Sequence, residues 1–196
     1  MQYSTTHRTN AMTQLNTDIG ANAQIIIYSG SIPANVATAP TGTLLAQFAG
    51  NAGGFGTPAS GQLTASAVAG VNASATGTAG YFRINTSGGT AVVQGTVYQS
   101  TPLTTNALTA ANGNVLNFAA TTGVVVGMTA SGTGIPTGAK VIAVGGTTVT
   151  LDQASTAGVA SSTVVTFGGD MTTANTSLAS GQPCTFNSLV ITAFGA

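Results

Sequence analysis

The chain has 196 residues, 43% of them hydrophobic, and only three basic and three acidic side chains, which give a formal net charge of zero. This balance excludes two classes of protein. Disordered chains combine low hydrophobicity with high charge, and nucleic-acid-binding domains need a basic patch that displaces counterions. The charged residues are scattered along the sequence: Arg8, Arg83, Lys140, Asp18, Asp152 and Asp170.

The low charge also indicates how the surface is used. A free domain carries roughly 25–35% charged residues on its surface, so this surface is either covered by neighbouring subunits or solvated by uncharged polar side chains. No apolar run reaches the ~18 residues of a membrane-spanning helix, and the first residues lack the apolar segment of a secretion signal. The lone cysteine, Cys184, permits no internal disulfide. We therefore expect folding in a reducing cytosol, no membrane partner, and membership of an assembly.

One helix is predicted, near the N-terminus. Met12, Leu15 and Ile19 recur at the spacing of one helical face, and Gly20 is a typical stop signal. A helix this short is marginal in isolation. We therefore expect it to dock on another surface.

From residue 24 the pattern changes to β-structure. Twenty-seven glycines, with frequent Thr and Val, predict many short strands and turns. The strands are expected at 24–30, 43–49, 62–68, 72–86 and 90–99, with loops at 31–42 and 50–61 and a hairpin turn at 87–89.

The pattern of polar and apolar residues changes again near residue 101. A polar connection at 101–114 precedes a new series of apolar runs and turns, with a tight hairpin predicted around Gly145 and Gly146 and a last run ending at Gly169. A strong final strand then follows Cys184. We therefore predict a β-sandwich or jelly-roll-like domain, all-β apart from the helix, formed by residues 1–100 and 170–196. Residues 101–169 are predicted to be a small inserted β-domain.

Residues suited to catalysis or metal binding are few. His7 is the only histidine, and no G-x-S-x-G nucleophile motif occurs. One His and one Cys are too few for a closed zinc site, and the three aspartates are too dispersed to predict an acid pair. Cys184 is expected to be a buried, inert thiol. The sequence thus predicts a protein that is not an enzyme, without catalytic, metal or cofactor sites.

Arg83 is the one charged residue inside a strong predicted strand. At period two, Phe82 and Ile84 share one face, while Tyr81, Arg83 and Asn85 share the other. Two interpretations remain open. Either the second face is solvated, with the arginine stem along Tyr81, or Tyr81 and Arg83 anchor an interface, where aromatic residues and arginine are enriched. In the second case Arg83→Ala weakens attachment and leaves the isolated fold intact.

Three segments resemble a family of small tailed-phage virion proteins. They are IIIYSGSIPANVATAPTGTLLAQFAG (25–50), TGTAGYFRINTSGGTAVVQGTV (76–97) and FNSLVITAF (186–194). The resemblance implies a β-sandwich or jelly-roll capsid cement or decoration protein, without catalytic residues, that clamps neighbouring major capsid protein subunits. It also implies a place on the outer surface of the phage head, after assembly in the host cytoplasm.

Several residues are candidates for that interface. The N-terminal arm and helix are expected to bridge to a neighbouring subunit, and copies of the chain are expected to associate. The candidates are Tyr3, His7, Arg8, Met12, Leu15, Tyr81 and Arg83. The segment 126–151 is similar to a small β-module that recurs in phage structural proteins. It leaves open a tail, baseplate or fibre component whose inserted module is a receptor- or glycan-binding tip.

Overall fold

Strands make up 42% of the chain and helix 8%, which confirms the all-β, sandwich-like fold with one short N-terminal helix. The computed structural model describes residues 3–50, 55–65, 68–173 and 175–193. Within them, helix α1 (Thr5–Ile19) precedes the strands β1 (Gln24–Ser29), β2 (Leu44–Ala49), β3 (Gln62–Thr64), β4 (Val71–Asn72), β5 (Gly77–Asn85), β6 (Ala91–Gln99), β7 (Thr101–Thr104), β8 (Val115–Asn117), β9 (Thr129–Ser131), β10 (Val141–Val144), β11 (Thr148–Leu151), β12 (Val164–Gly168), β13 (Met171–Thr173), β14 (Ser177–Leu178), β15 (Pro183–Cys184) and β16 (Phe186–Thr192).

Helix α1 begins and ends where its capping residues allow. The Ser4 side chain accepts a hydrogen bond from the His7 backbone N–H at 3.2 Å, which satisfies a free donor of the first turn. Gly20 follows the helix with φ +72°, a conformation that other residues rarely adopt. Met12 and Ile19 are buried in the core of the same chain. The helix therefore docks on its own domain.

The chain divides into two compact units. Residues 1–99 and 170–196 form the first, which we call the host unit, and residues 100–169 form the second, the inserted unit. In the host unit an eight-stranded sheet has the order β2-β1-β5-β6-β13-β16-β3, with β14 paired to β5. Its pairs are antiparallel except β6 and β13, which are parallel. Neighbouring parallel strands need a long crossover connection, and the inserted unit lies in that connection.

One hydrophobic core fills the host unit. The two end strands of the sheet both contribute to it, Phe48 from β2 and Leu63 from β3, as a curled sheet allows. Phe82 and Ile84 of β5 also face this core and are at most 1% exposed. The predicted alternation along this strand is therefore confirmed. Within the part of the chain that is described, no helix combines the length and apolarity that a membrane span requires.

The hairpin between β5 and β6 forms at the predicted turn. Gly89 donates its N–H to the Thr86 carbonyl at 2.9 Å, and Thr86 donates to Thr90 at 2.8 Å. The loop expected at 50–61 differs from the prediction because Phe55 is buried in the core. Residues 51–54 of that loop, and residues 66 and 67 of the strand expected at 62–68, lie outside the described residues.

The inserted unit contains two three-stranded sheets, β10-β11-β8 and β7-β12-β9. The buried residues of the unit include Phe118 and Phe167, whose rings meet edge to face at 5.6 Å between centroids. Gly145 donates to Thr148 at 2.8 Å in the predicted tight hairpin. Residues 101–104 form β7, although this stretch was expected to be a polar connection. Its pairing with β12 determines this strand, and that partner is more than 50 residues away in sequence.

Candidate functional site

The face of the host sheet opposite the core carries a small aromatic cluster. Tyr28 of β1 and Tyr81 of β5 are paired across the two strands, and their rings stack with centroids 5.2 Å apart. Ile26 completes the buried cluster, and Leu44 packs against it. This second face is therefore not simply solvated.

Arg83 extends the cluster along β5 and is only 3% exposed. Its Nη2 donates to the carbonyl oxygen of Thr38 and to Oε1 of Gln94, the latter at 3.1 Å. Thr38 belongs to the connection between β1 and β2, and we call residues 31–43 of this connection the covering loop. The expectation of a solvated Arg83 is wrong because this loop lies over it. Arg83→Ala is consequently expected to perturb the loop rather than leave the fold intact.

Two further side chains of this face bind the backbone of the covering loop. The Tyr81 hydroxyl accepts a hydrogen bond from the Thr41 N–H at 3.3 Å. The Gln94 amide donates to the Pro33 carbonyl at 2.8 Å. Since these contacts reach only main-chain groups, they fix the path of the loop without dictating its outward side chains.

The C-terminal end of the covering loop is also held by hydrogen bonds, in this case to β1. Thr43 donates to the Ser29 hydroxyl at 2.9 Å, and its carbonyl accepts from the Ser29 N–H at 3.0 Å. Gly42 passes so near β1 that a Cβ atom there would lie 1.7 Å from the Ser29 carbonyl oxygen. Only glycine fits at this position. We call Ser29, Tyr81, Arg83 and Gln94 together the latch.

The outward side of the covering loop is uncharged. Ile32, Ala34, Ala37, Ala39 and Pro40 are exposed, and Ile32 is one of the larger apolar side chains on the surface, at 37% exposure. A connection of this length without secondary structure is usually functional. The arrangement presents an uncharged surface on a loop that is already ordered.

No carboxylate is among the hydrogen-bond partners of Arg83 in the described chain, whose acceptors there are an amide and a carbonyl. Arg83 interacts electrostatically with the phenol of Tyr28. The pKa of Tyr28 is raised by burial and further by Tyr81, while the positive charge of Arg83 opposes the rise. The Arg83 Nε–H is buried without a hydrogen-bond partner. The guanidinium thus donates once to the covering loop and once to Gln94 of β6.

The N-terminal candidates differ in their exposure. Tyr3 and His7 are exposed, and their rings stack at 5.0 Å between centroids. Met12 is buried in the host core and Leu15 packs against it, so Met12 is covered by its own chain. Arg8 is half-buried and lies against Gly61.

The two candidates of β5 are buried. Tyr81 is fully buried, and neither it nor Arg83 is on the surface of this chain.

The structure adds two latch residues that the sequence analysis missed, Ser29 and Gln94. A polar residue on a strand does not reveal whether it faces water or a loop from a distant part of the chain. Gln94 could have been found from the alternation along the predicted hairpin, because it pairs with Arg83 and therefore lies on the same face of the sheet.

Candidate metal ligands stay apart: over the residues described, no three His, Cys, Asp or Glu side chains come close enough to hold a metal ion. Asp170 accepts hydrogen bonds from the backbone and the hydroxyl of Thr96 at 3.1 and 3.2 Å. Cys184 is buried, and burial raises the pKa of its thiol. Comparison of the chain with protein-family models, curated proteins and solved structures found no match.

Proposed function

We propose that this chain is a non-enzymatic structural virion protein, a capsid cement or decoration protein of a tailed phage. In this role it binds neighbouring major capsid protein subunits on the outer surface of the head and stabilises the shell. Its partners are the capsid protein and further copies of itself.

The covering loop and its latch are the observation that carries this proposal. The segments that resemble phage virion proteins supply the covering loop and the latch, since Ser29 and the loop come from 25–50 and the other latch residues from 76–97. A loop that is ordered before binding avoids the entropic cost of ordering at the interface. Its uncharged surface avoids the cost of removing charges from water when a partner covers it.

The mechanism needs no chemical step. Each copy contributes a modest binding energy through the covering loop, and the symmetry of the shell repeats that contact many times. Attachment of the whole layer is then much stronger than that of one copy.

The first test is the location and copy number of the chain in purified particles. A cement protein has a copy number that scales with the number of capsid subunits, and a particle map places it on the head. Capsids lacking it should rupture at lower temperature. A few copies at the tail, with heads of unchanged stability, contradict the proposal.

The second test addresses the loop with a matched pair of substitutions. Ile32→Asp places a charge on the exposed face of the covering loop, and Ser87→Asp places one in the exposed β5–β6 turn. Burial of an unpaired charge is expected to weaken binding to depleted capsids about tenfold or more. Sedimentation with capsids measures the bound fraction. Equal binding by both variants contradicts a contact through the loop.

A tail, baseplate or fibre component with the inserted unit as a binding tip is the alternative. A glycan-binding tip is disfavoured by the positions of the two aromatic residues of this unit. Phe118 and Phe167 are at most 1% exposed, so its surface offers no ring on which a sugar stacks. A protein receptor remains, and the copy number distinguishes that role from capsid cement.

A further inference from the structure

A tight turn of the inserted unit contains Asn112 followed by Gly113, and no other Asn-Gly pair occurs in the sequence. The Gly113 N–H donates to the Ala110 carbonyl at 3.0 Å, and Asn112, the third residue of this turn, has φ +64°. A positive φ at that position is typical of a type II turn, and asparagine adopts it more readily than most residues. The backbone of the turn therefore accounts for the asparagine.

Packing accounts for the glycine that follows it. A Cβ atom at Gly113 would lie 2.9 Å from Cγ2 of Thr109 and 3.0 Å from the Ala110 carbonyl oxygen. Thr109 is buried, and its hydroxyl donates to the Val115 carbonyl at 2.9 Å, so rotation of its side chain would break a hydrogen bond. The turn thus joins a left-handed asparagine to a residue that has no side chain.

An asparagine followed by glycine is prone to intramolecular deamidation. The backbone nitrogen of Gly113 loses its proton and attacks Cγ of the Asn112 side chain, which forms a cyclic succinimide and releases the amide nitrogen as ammonia. Water then opens the ring at either carbonyl and leaves an aspartate or an isoaspartate. The sequence of steps consumes only water. Glycine favours the attack because it has no Cβ atom to hinder the approach of its nitrogen.

The folded turn exposes the amide and restrains the nucleophile. The Asn112 side chain is exposed, so water reaches it. The Gly113 N–H is already donated to Ala110. Ser155 holds the same turn, because it accepts from the Asn112 N–H at 2.9 Å and donates its own N–H to the Gly113 carbonyl at 2.8 Å. The attack therefore needs the turn to open, and the fraction of open molecules limits its rate.

We propose that Asn112 is a site of spontaneous deamidation whose rate is controlled by opening of the turn 110–113. The reaction adds a carboxylate to a unit whose only charged residues are Lys140 and Asp152. An isoaspartate also lengthens the main chain by a methylene group, and the contacts to Ser155 leave no slack for it. The product is therefore expected to lower the stability of the inserted unit. This inference is independent of the proposed function.

The test is peptide mapping of the full chain by mass spectrometry after prolonged incubation at neutral pH. Chromatography separates the aspartate and isoaspartate forms of the peptide. Asn114 is the internal control, because it lies in the same segment and is followed by Val115. Asn112→Gly is the matched variant, since glycine adopts φ +64° without strain. Circular dichroism and thermal unfolding confirm that the variant is folded.

We expect Asn112 to convert to both acid products while Asn114 stays an amide. In urea, where the turn is open, the conversion should be at least about tenfold faster. The unfolding midpoint of the inserted unit should fall during incubation of the wild-type chain and stay constant in Asn112→Gly.

Three outcomes would contradict the proposal. An Asn112 that stays an amide in native buffer overturns the site, and so does equal conversion of Asn114. Equal rates in native buffer and in urea overturn the control by the turn. Binding to capsids is a separate measurement, and its failure leaves these results unaffected.

Discussion

The two units of this protein treat the second face of a sheet in opposite ways. In the host unit the face opposite the core is covered by residues 31–43 and held by polar contacts to their backbone. In the inserted unit the outer row of β10-β11-β8, formed by Ala143, Thr150 and Val115, stays accessible, with Ala143 and Val115 exposed. Among the described residues, seven of the nine exposed large hydrophobic side chains belong to the inserted unit: Leu108, Val115, Val125, Val126, Ile142, Val144 and Val164.

The difference follows from the length of chain available. The host unit has a long connection that folds back over its own sheet, whereas the inserted unit is the smaller of the two. A small unit buries a smaller fraction of its surface. The host unit thus covers the second face of its sheet, whereas the inserted unit leaves large apolar side chains such as Val126 and Ile142 exposed.

The largest effects are expected from cavities made separately in each core. Phe82→Ala and Phe167→Ala each remove a fully buried ring and should cost about 3–5 kcal/mol in the unit that carries the change. Methyl resonances from both units, followed by NMR during thermal unfolding, report each transition. Phe167→Ala should lower only the transition of residues 100–169, and a single shared transition would show that the units unfold together.

Loss of the latch is expected to have a smaller effect, confined to the host unit. Arg83→Met keeps the volume and removes the hydrogen bonds to Thr38 and Gln94, which should cost about 1.5–3 kcal/mol. Amide exchange at Thr41 and Thr43 should become faster as the loop loosens.

Arg83→Lys is the control, because it retains the charge and a donor but not the planar fork. It should lose less stability than Arg83→Met. A stable Arg83→Met variant with unchanged exchange would show that the loop does not depend on the latch.

Alkaline pH should lower the stability of the host unit more than that of the inserted unit. The pKa values of Tyr28 and Cys184 are raised in the folded host unit, in both cases chiefly by burial. The unfolded chain therefore loses its protons first, and stability falls as the pH rises above 9.0 for the thiol and 10.0 for the phenol.

The inserted unit contains no Cys, Tyr or His, so its unfolding should stay nearly constant up to about pH 10, below the usual lysine pKa of about 10.4, while the host unit already loses stability above pH 9.0. Urea unfolding at a series of pH values measures both responses, and Tyr28→Phe should flatten that of the host unit. An equal decline in both units would contradict the assignment to these two groups.

The smallest effect on the host unit is expected from removal of the inserted unit itself. Thr101 pairs with Phe167, so the chain enters and leaves the unit at adjacent points. A Gly-Ser linker in place of residues 101–168 should leave the host core intact, because its buried cluster contains only host residues. Circular dichroism and the midpoint of unfolding test this, and a molten or unfolded product would contradict it.

Local patterns were sufficient for several features of the fold. Met12, Leu15 and Ile19 at helical spacing, followed by Gly20, predict the helix and its end. The alternation around Phe82 predicts which residues face the core, and the Gly-rich segments at 87–89 and 145–146 predict the two hairpins. In each case the determining interactions lie within a few residues along the chain, so the sequence displays them directly.

Contacts between residues far apart in the sequence determine the features that local patterns did not predict. Thr101–Thr104 became a strand because β12 lies beside it, and Met12 and Leu15 turned to the chain's own core because α1 packs near β3. Arg83 is buried because residues 31–43 return over its face. Alternation specifies that a residue lies on the second face of a sheet, but only the tertiary structure determines whether water, a loop or another chain covers that face.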